Sequence, residues 1–564
     1  MNSLLLVTVA VVAFVFGYRF YSRLLALGIF RLGDEYSTPP PSQPADGGHE
    51  AYSRHLVFGQ HLASLAAAAA ITGGMISIIW GWIPAFLWVV VATLMAAGTY
   101  GLGALWLSLR FPGLDPAEIA ARLLGSPAHG IYALLSFLLL LIMNAVSAML
   151  AAQLMSAFPS AVLPFWLIVV MALLFGNFLH GRENFEIIPA SLIAVAVSLM
   201  LVWLLGEYPL AFTGALNFGF AEYHVSFDAT VVWVILLFIY GYHATRLPMR
   251  KLIRPRGFLT ALLLAVTLVI LYTAVVIDHP DLVAPEFHAG AGIPGTIPWL
   301  FVTLTSGAVA GFHLLIANGI SARQLKQETE ARYIGYGGAL ALGLLALSAI
   351  VIGGTAFGNA QEWSQHYATW DSFKDLHTVL ERYVNGFTRL ASGLGLGQTF
   401  TRTLAALVVL GLLTSTLEAG LRVQKQILTG LTERYPSLLP GREKVLTGMV
   451  AGLSALLALV DGHGRGGLVL WPLFGVADQM LAVLGFALLA LMLRQLERPL
   501  AAVILPLIFM VAVTNWALVE QMVQWWSGND WMLFTLGIIL IFMELRVALL
   551  TFSALKSPVP APPT

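Results

Sequence analysis

The chain has 564 residues, of which 59% are apolar and only 10% charged, with a mean hydropathy of +0.84 and a formal net charge of zero. A soluble domain carries about 25% charged residues, so a water-borne globular fold is excluded, and the balanced charge argues against a nucleic-acid partner. The absence of cysteine rules out disulfides and thiolate metal sites.

Apolar runs of roughly 20 residues, the length that crosses a bilayer core, recur from end to end. They fall near 3–30, 56–80, 82–108, 130–157, 161–179, 187–205, 229–245, 257–278, 298–320, 336–358, 400–422, 445–460, 468–493, 500–523 and 531–553. The pattern predicts an all-α polytopic membrane protein of about fifteen transmembrane helices. The first run, Leu4 to Gly17, lacks a preceding basic region and a small-residue cleavage pattern, so it reads as a retained helix. Residues 33–55, with Pro39, Pro40, Pro41 and Pro44, read as a cytoplasmic linker, and 359–398, with Trp363 and Trp370, as an outer loop with some helix of its own.

Charge placement gives an orientation. With the N-terminus outside and strict alternation, cytoplasmic loops hold 24 of the 29 basic residues, among them Arg246, Arg250, Lys251, Arg254 and Arg256. The outer loops keep Lys374, Arg382, Arg389, Arg402 and Arg465. Basic loops stay on the cytoplasmic side during insertion, so a multi-pass protein of the inner (plasma) membrane with a cytoplasmic C-terminus is expected.

Two spans depart from plain lipid-facing helix. The first runs through His61, Ser64, Ala66 to Ala70, Thr72, Gly73 and Gly74; the second through Thr305, Ser306, Gly307, Gly311, Phe312 and His313 to Asn318. They lie seven places apart in the order of spans and therefore run in opposite directions. Small residues allow close helix packing, but a matched antiparallel pair of Gly-interrupted spans is the mark of an inverted-repeat transporter. Unwound backbone is tolerated in a membrane only where it lines a cavity or is buried in protein. Ser64, Thr72, Gly73, Gly74, Thr305, Ser306, Gly307, Gly311 and Phe312 are thus candidate substrate-binding residues, with Asn144 from a later polar helix.

Ionisable groups within spans are costly and mark function by default. His61, His313, Glu418 and Asp478 are the candidates for proton or ion coupling. The plain alternatives are a hydrogen-bonded packing histidine and, for Glu418, an i,i+4 pair with Arg422. His243 and Glu544 read as structural or interfacial. No nucleophile elbow, phosphate loop or paired metal-ligand spacing is present, so neither enzyme chemistry nor a metal or cofactor is expected.

The segments Ser306-Gly-Ala-Val-Ala-Gly-Phe-His313, Ile334-Gly-Tyr-Gly-Gly338, Leu470-Trp-Pro-Leu-Phe-Gly-Val-Ala-Asp-Gln-Met-Leu-Ala482, Phe58-Gly-Gln-His61 and Glu418-Ala-Gly-Leu-Arg422 resemble the carbon starvation protein A family of the amino acid–polyamine–organocation group. The resemblance implies a five-plus-five, leucine-transporter-like inverted repeat and proton-driven uptake of peptides or pyruvate. It would divide the chain into an N-terminal helix and linker (1–55), a first repeat (56–205), an inserted helix pair (206–297), a second repeat (298–493) and a C-terminal helix pair with tail (494–564). The chain departs from the family pattern in that the first-span prolines and two glycines are absent, and three polar features of the pocket have moved: a family Asp falls at Gly101, a family Glu at Leu342, and its Asn becomes Asp478. The expected function is a proton-coupled secondary transporter importing a small organic solute, a peptide or a short carboxylate such as pyruvate, in a lipid bilayer. Self-association is left open. The alternative is a non-transporting sensor or scaffold on a degenerate transporter fold.

Overall fold

The structure is a computed structural model describing residues 2–33, 52–66, 68–112, 114–179, 187–212, 216–220, 223–290, 292–308, 311–434 and 442–556. In chain order it comprises α1 (Ser3–Ile29), α2 (Arg54–Leu65), α3 (Ala68–Ser77), α4 (Trp82–Arg110), α5 (Pro116–Leu124), α6 (Ser126–Ala157), α7 (Pro159–Phe178) and α8 (Ile187–Leu205). A hairpin of β1 (Leu216–Phe220) and β2 (Tyr223–Phe227) follows, then α9 (Ala229–Arg246), α10 (Ile253–Asp278), α11 (Thr296–Ala308), α12 (Gly311–Ile316) and α13 (Arg332–Thr355). The remainder is α14 (Ala360–His366), α15 (Leu376–Ala391), α16 (Gln398–Arg434), α17 (Glu443–Leu459), α18 (Trp471–Gln495), α19 (Ala501–Ser527) and α20 (Trp531–Lys556).

Among the described residues, eleven helices are long and apolar enough to cross a membrane, and the bent pair α2–α3 would make a twelfth. The chain is a multi-pass membrane protein. The remaining expected spans are helical over their described residues, α8 and α17 as shorter helices and the third as α11 and α12 on either side of residues 309–310. The antiparallel hairpin pairing Leu216 with Phe227 is a departure from the all-helical expectation and lies in the 206–228 loop.

The centre is built by α6 and α16, 32 and 37 residues long, which pack along one another. Asn144 Nδ2 donates to Gln424 Oε1 at 2.9 Å across that contact, and Gln424 Nε2 donates to the Phe137 carbonyl at 3.2 Å. Around this pair, α9 and α17 each touch both α6 and α16, α10 lies on α16 and α18 lies on α6. By contrast α1, α19 and α20 bury only about a third of their most apolar stretch, leaving faces suited to lipid.

Close approach is arranged by glycine. A Cβ on Gly101 of α4 would sit 2.7 Å from the Gly335 carbonyl oxygen, and one on Gly335 of α13 would press on the Gly101 backbone in return. The two main chains therefore meet directly, as small residues permit between membrane helices. An acidic side chain at position 101, as the family pattern has it, does not fit this spacing. Gly81 turns α3 into α4 at φ +97° with the backbone of Glu286 and Phe287 against it. Asp115 and Glu118 form a reciprocal capping box that starts α5.

Several helices widen into π turns: Gly17–Tyr21 and Leu24–Ile29 in α1, Ala92–Ala97 in α4, Ala317–Ser321 after α12 and Arg332–Tyr336 at the start of α13. Such turns are rare and recur at functional positions. The segment 359–398 carries α14 and α15, as expected of a loop with helix of its own. The apolar face of α15 (Val379, Leu380, Tyr383, Val384, Phe387) is buried, and it packs on α3 and α13.

Candidate functional site

The first broken span is bent by 55° between its two halves. The break falls at Ala66 (φ −73°, ψ 44°) rather than at Gly73 and Gly74, which lie inside α3. A run of alanines favours helix, so tertiary contacts override the local preference. The glycines serve a different end. A Cβ on Gly74 would sit 2.6 Å from the Ala346 carbonyl oxygen, and one on Gly73 would meet the backbone of Thr303 and Leu304. The last turn of a helix leaves its carbonyls without intrahelical partners. The Ser64 carbonyl, one of these, accepts from the Thr416 hydroxyl at 3.1 Å.

In the second span, α11 is described to Ala308 and α12 from Gly311, and residues 309–310 between them lie outside the described residues. Thr305, Ser306 and Gly307 close α11, and their side chains also lie outside the described ones. Gly311 opens α12 against α18: a Cβ there would stand 2.7 Å from the Asp478 carbonyl oxygen. The Phe312 N–H donates to Asp478 Oδ1 at 3.1 Å. A carboxylate is thus held on the exposed amides of a helix start, the arrangement such ends favour.

Asp478, His61 and His313 are 0%, 1% and 2% exposed, so the cluster is closed to solvent in this structure. His61 Nδ1 lies 2.8 Å from Ser321 Oγ, and its ring edge rests on Gly338. His313 is within electrostatic reach of His61, and its ring centroid is 6.4 Å from that of Tyr100. Tyr100 in turn is within electrostatic reach of Asp478. Asp478 Oδ2, His61 Nε2 and Tyr100 Oη are buried with no hydrogen-bond partner among the described residues. Buried polar atoms are almost always paired, so these three, on neighbouring groups, set this cluster apart as a candidate site. Ser64 and Thr72 are buried in the same broken span. Asn144 lies in the α6–α16 contact described above, with Gly420 against its amide oxygen.

Replacing Gly311 by alanine tests how tightly this corner is set. The added methyl meets the Asp478 carbonyl and the Leu481 side chain, and overpacking of that kind costs about 1–3 kcal/mol. The expected outcome is a lower melting temperature of the purified protein and a weaker solute response; a melting curve matching the unmodified chain would show the corner to be slack.

Glu418 corrects the expected pairing with Arg422. Its carboxylate lies 2.7 Å from Arg256 Nε on α10 and accepts from the Tyr240 hydroxyl on α9. Arg256 also donates to Thr414 Oγ1 at 2.8 Å and Ser415 Oγ at 2.9 Å. Arg422 turns away to the carbonyls of Thr245 and Leu247. Sequence reasoning missed Arg256 because it stands in a run of five basic residues that read as loop, whereas Arg254 and Arg256 are buried in the first turn of α10. The only local hint was their two-residue spacing beside an apolar run. Tyr100 was missed too, as nothing in an aromatic within an apolar helix advertises an orphaned hydroxyl.

One end of the bundle is sealed by polar contacts. Arg254 Nε donates to Gln324 Oε1 at 2.7 Å, Gln324 Nε2 to Gln60 Oε1 at 2.9 Å, and the Tyr52 N–H to the Gln324 carbonyl at 3.1 Å. Nearby, Arg110 pairs with Glu328 at 2.7 Å and the Gly33 N–H donates to the same carboxylate. Burial raises the Glu328 carboxyl above its ordinary range, while the Gly33 N–H and the Arg110 guanidinium pull it back down.

The fold and site define a multi-pass membrane protein with a bent span, α2–α3, beside a buried ionisable cluster. The family model for carbon starvation protein CstA matches residues 2–362 and 375–517, and the chain belongs to that family. It is 26% identical over 580 residues to the peptide transporter CstA of Mycobacterium tuberculosis strain H37Rv, covering 91% of this chain and 74% of that protein. It is 25% identical over 600 residues to the pyruvate/proton symporter BtsT of Escherichia coli K12, covering 92% and 81%. Among solved structures, a point mutant of the Eremococcus coleocola manganese transporter aligns over 92% of this chain and 98% of that one, at 14% identity and a TM-score of 0.50. That likeness is one of fold.

Proposed function

We propose that this protein is a proton-coupled secondary transporter that imports a small organic solute, a peptide or a short carboxylate such as pyruvate. The observation that carries the reading is the set of buried polar atoms on Asp478, His61 and Tyr100 without a partner among the described residues, close to the bent α2–α3 span and to the start of α12. Asp478, His61 and His313 are the groups proposed to take up and pass the proton. Ser64, Thr72, Gly73, Gly74, Thr305, Ser306, Gly307, Gly311, Phe312 and Asn144 are proposed to surround the solute. A solute carboxylate would be met by amides at the α12 start when Asp478 is protonated and neutral. Glu418, bound by Arg256 and Tyr240, is proposed to hold helices together rather than to carry protons. The relatives' names, a peptide transporter and a pyruvate/proton symporter, support this choice of solutes and of coupling ion.

The proposed architecture is a fifteen-span, five-plus-five inverted repeat in the inner membrane, N-terminus outside. The helix packing supports one change to the boundaries expected from sequence. With α9 and α10 as fourth and fifth members of the first repeat, each contact has a counterpart: α9 on α16 matches α17 on α6, and α10 on α16 matches α18 on α6. The inserted pair would then be α7 and α8, which pack on each other and on the outside of α10, rather than 206–297.

The test is uptake by purified protein in proteoliposomes under an imposed pH gradient, acid outside, with pyruvate and short peptides as solutes. The expected result is accumulation that collapses with a protonophore. Uptake indifferent to the gradient would remove the coupling, and absence of both uptake and any ligand-induced rise in melting temperature would favour the scaffold reading.

A further inference from the structure

Away from the solute site, a lateral groove of about 520 Å³ runs between α1 and α13, lined by Val11, Phe14, Val15, Tyr18, Leu340 and Leu344, with Arg19 and Arg332 at one end. Its walls are apolar for most of their length. From Arg332 to Leu344 the α13 wall rises roughly 18 Å at about 1.5 Å per residue, close to one leaflet of a hydrocarbon core about 30 Å thick. The groove faces the side of the molecule where α1 buries little of its surface.

The polar end is built rather than incidental. Arg332 donates from Nε to Ser22 Oγ at 2.8 Å and from Nη2 to the Tyr18 carbonyl at 2.8 Å, and its guanidinium lies 4.9 Å from the Tyr18 ring centroid. These contacts fix the plane of the guanidinium and leave Nη1 without a protein partner among the described residues. Arg19 is exposed, and no acidic side chain among the described residues pairs with it. Both walls widen into π turns at this height, Gly17–Tyr21 on one side and Arg332–Tyr336 on the other. A planar guanidinium with a second cation beside it, at the mouth of an apolar slot one leaflet long, is a receptor for a phosphate that carries an acyl chain.

We infer that the groove between α1 and α13 is a binding site for one anionic phospholipid, its acyl chain along Phe14, Leu340 and Leu344 and its phosphate between Arg19 and Arg332. The occupant is a membrane lipid rather than free phosphate, because the apolar wall accounts for most of the site. Lipid recognition by clustered arginines at the membrane surface contributes on the order of 1 kcal/mol per residue, about a fivefold change in affinity.

The experiment is native mass spectrometry and melting of the full chain purified in neutral detergent, titrated with phosphatidylglycerol, phosphatidylcholine or inorganic phosphate. The expected result is one retained phosphatidylglycerol and a raised melting temperature, with little retention of phosphatidylcholine and no response to inorganic phosphate. Arg19→Gln, at an exposed position that leaves the fold intact, should weaken phosphatidylglycerol retention about fivefold, and Leu340→Trp should reduce it by filling the slot. Equal retention of both lipids, or an Arg19→Gln chain that binds as the unmodified one does, would overturn the assignment. A response to inorganic phosphate matching that to the lipid would do the same.

Discussion

Asp478→Asn converts concentrative uptake into equilibration. A gradient of one pH unit corresponds to 1.36 kcal/mol, or a factor of about ten, so a carrier moving one proton per solute accumulates it roughly tenfold under that gradient. The Asp478→Asn variant is expected to bring internal and external concentrations level and stop, while still exchanging solute across the membrane. The substitution is nearly isosteric and keeps an oxygen to accept from the Phe312 N–H, so the corner formed with Gly311 survives. What it removes is Oδ2 as the oxygen proposed to bind the proton, an atom with no protein partner among the described residues. The resemblance to carbon starvation proteins sharpens the test, because their pattern has Asn at this place and acids at the positions of Gly101 and Leu342. In this chain the carboxylate is carried by α18 instead, within electrostatic reach of Tyr100. Gradient-driven accumulation by Asp478→Asn equal to that of the original protein would place the coupling elsewhere.

Removing Glu418 is the second large effect, and it acts on stability. Glu418→Ala leaves Arg256 buried, bonded only to the Thr414 and Ser415 hydroxyls, and an uncompensated buried charge costs about 3–5 kcal/mol. The melting temperature in detergent should fall steeply. The paired change Glu418→Leu with Arg256→Leu should recover much of that loss, because replacing both partners of a buried ion pair by apolar groups is often near neutral. Arg256→Lys is expected to restore little, since an ammonium cannot reach Glu418, Thr414 and Ser415 together as the planar fork does. An unchanged melting curve for Glu418→Ala would mean that the pair contributes nothing, and the double variant distinguishes lost charge balance from lost packing.

The membrane class and most helices were legible because hydropathy over twenty residues is a local property, and the bilayer enforces it segment by segment. The two special spans could also be read, since small and polar residues at membrane depth are conspicuous against an apolar background. Where the first of them yields was not legible: Ala66 breaks while Gly73 and Gly74 stay helical, because the decision lies with Thr416 and with the backbones of Thr303 and Ala346 packed against that span. The partner of Glu418 was hidden for the same reason. Arg422 is its neighbour along the helix, whereas Arg256 comes from 162 residues away in sequence, and only tertiary packing brings it within reach. Arg254 and Arg256 show the limit of charge counting. Their basicity places them at one end of the bundle, but it does not reveal that both are drawn inside, Arg254 to Gln324 and Arg256 to Glu418.

The meeting of Gly101 with Gly335 bears on how any motion would be relayed. Each presents bare peptide to the other, so no rotamer at that crossing can swing aside to absorb a shift. A movement of either helix toward the other at this crossing therefore bears directly on the partner's main chain. The crossing lies one residue from Tyr100 on α4 and three residues before Gly338, which backs His61, so it sits between the two groups.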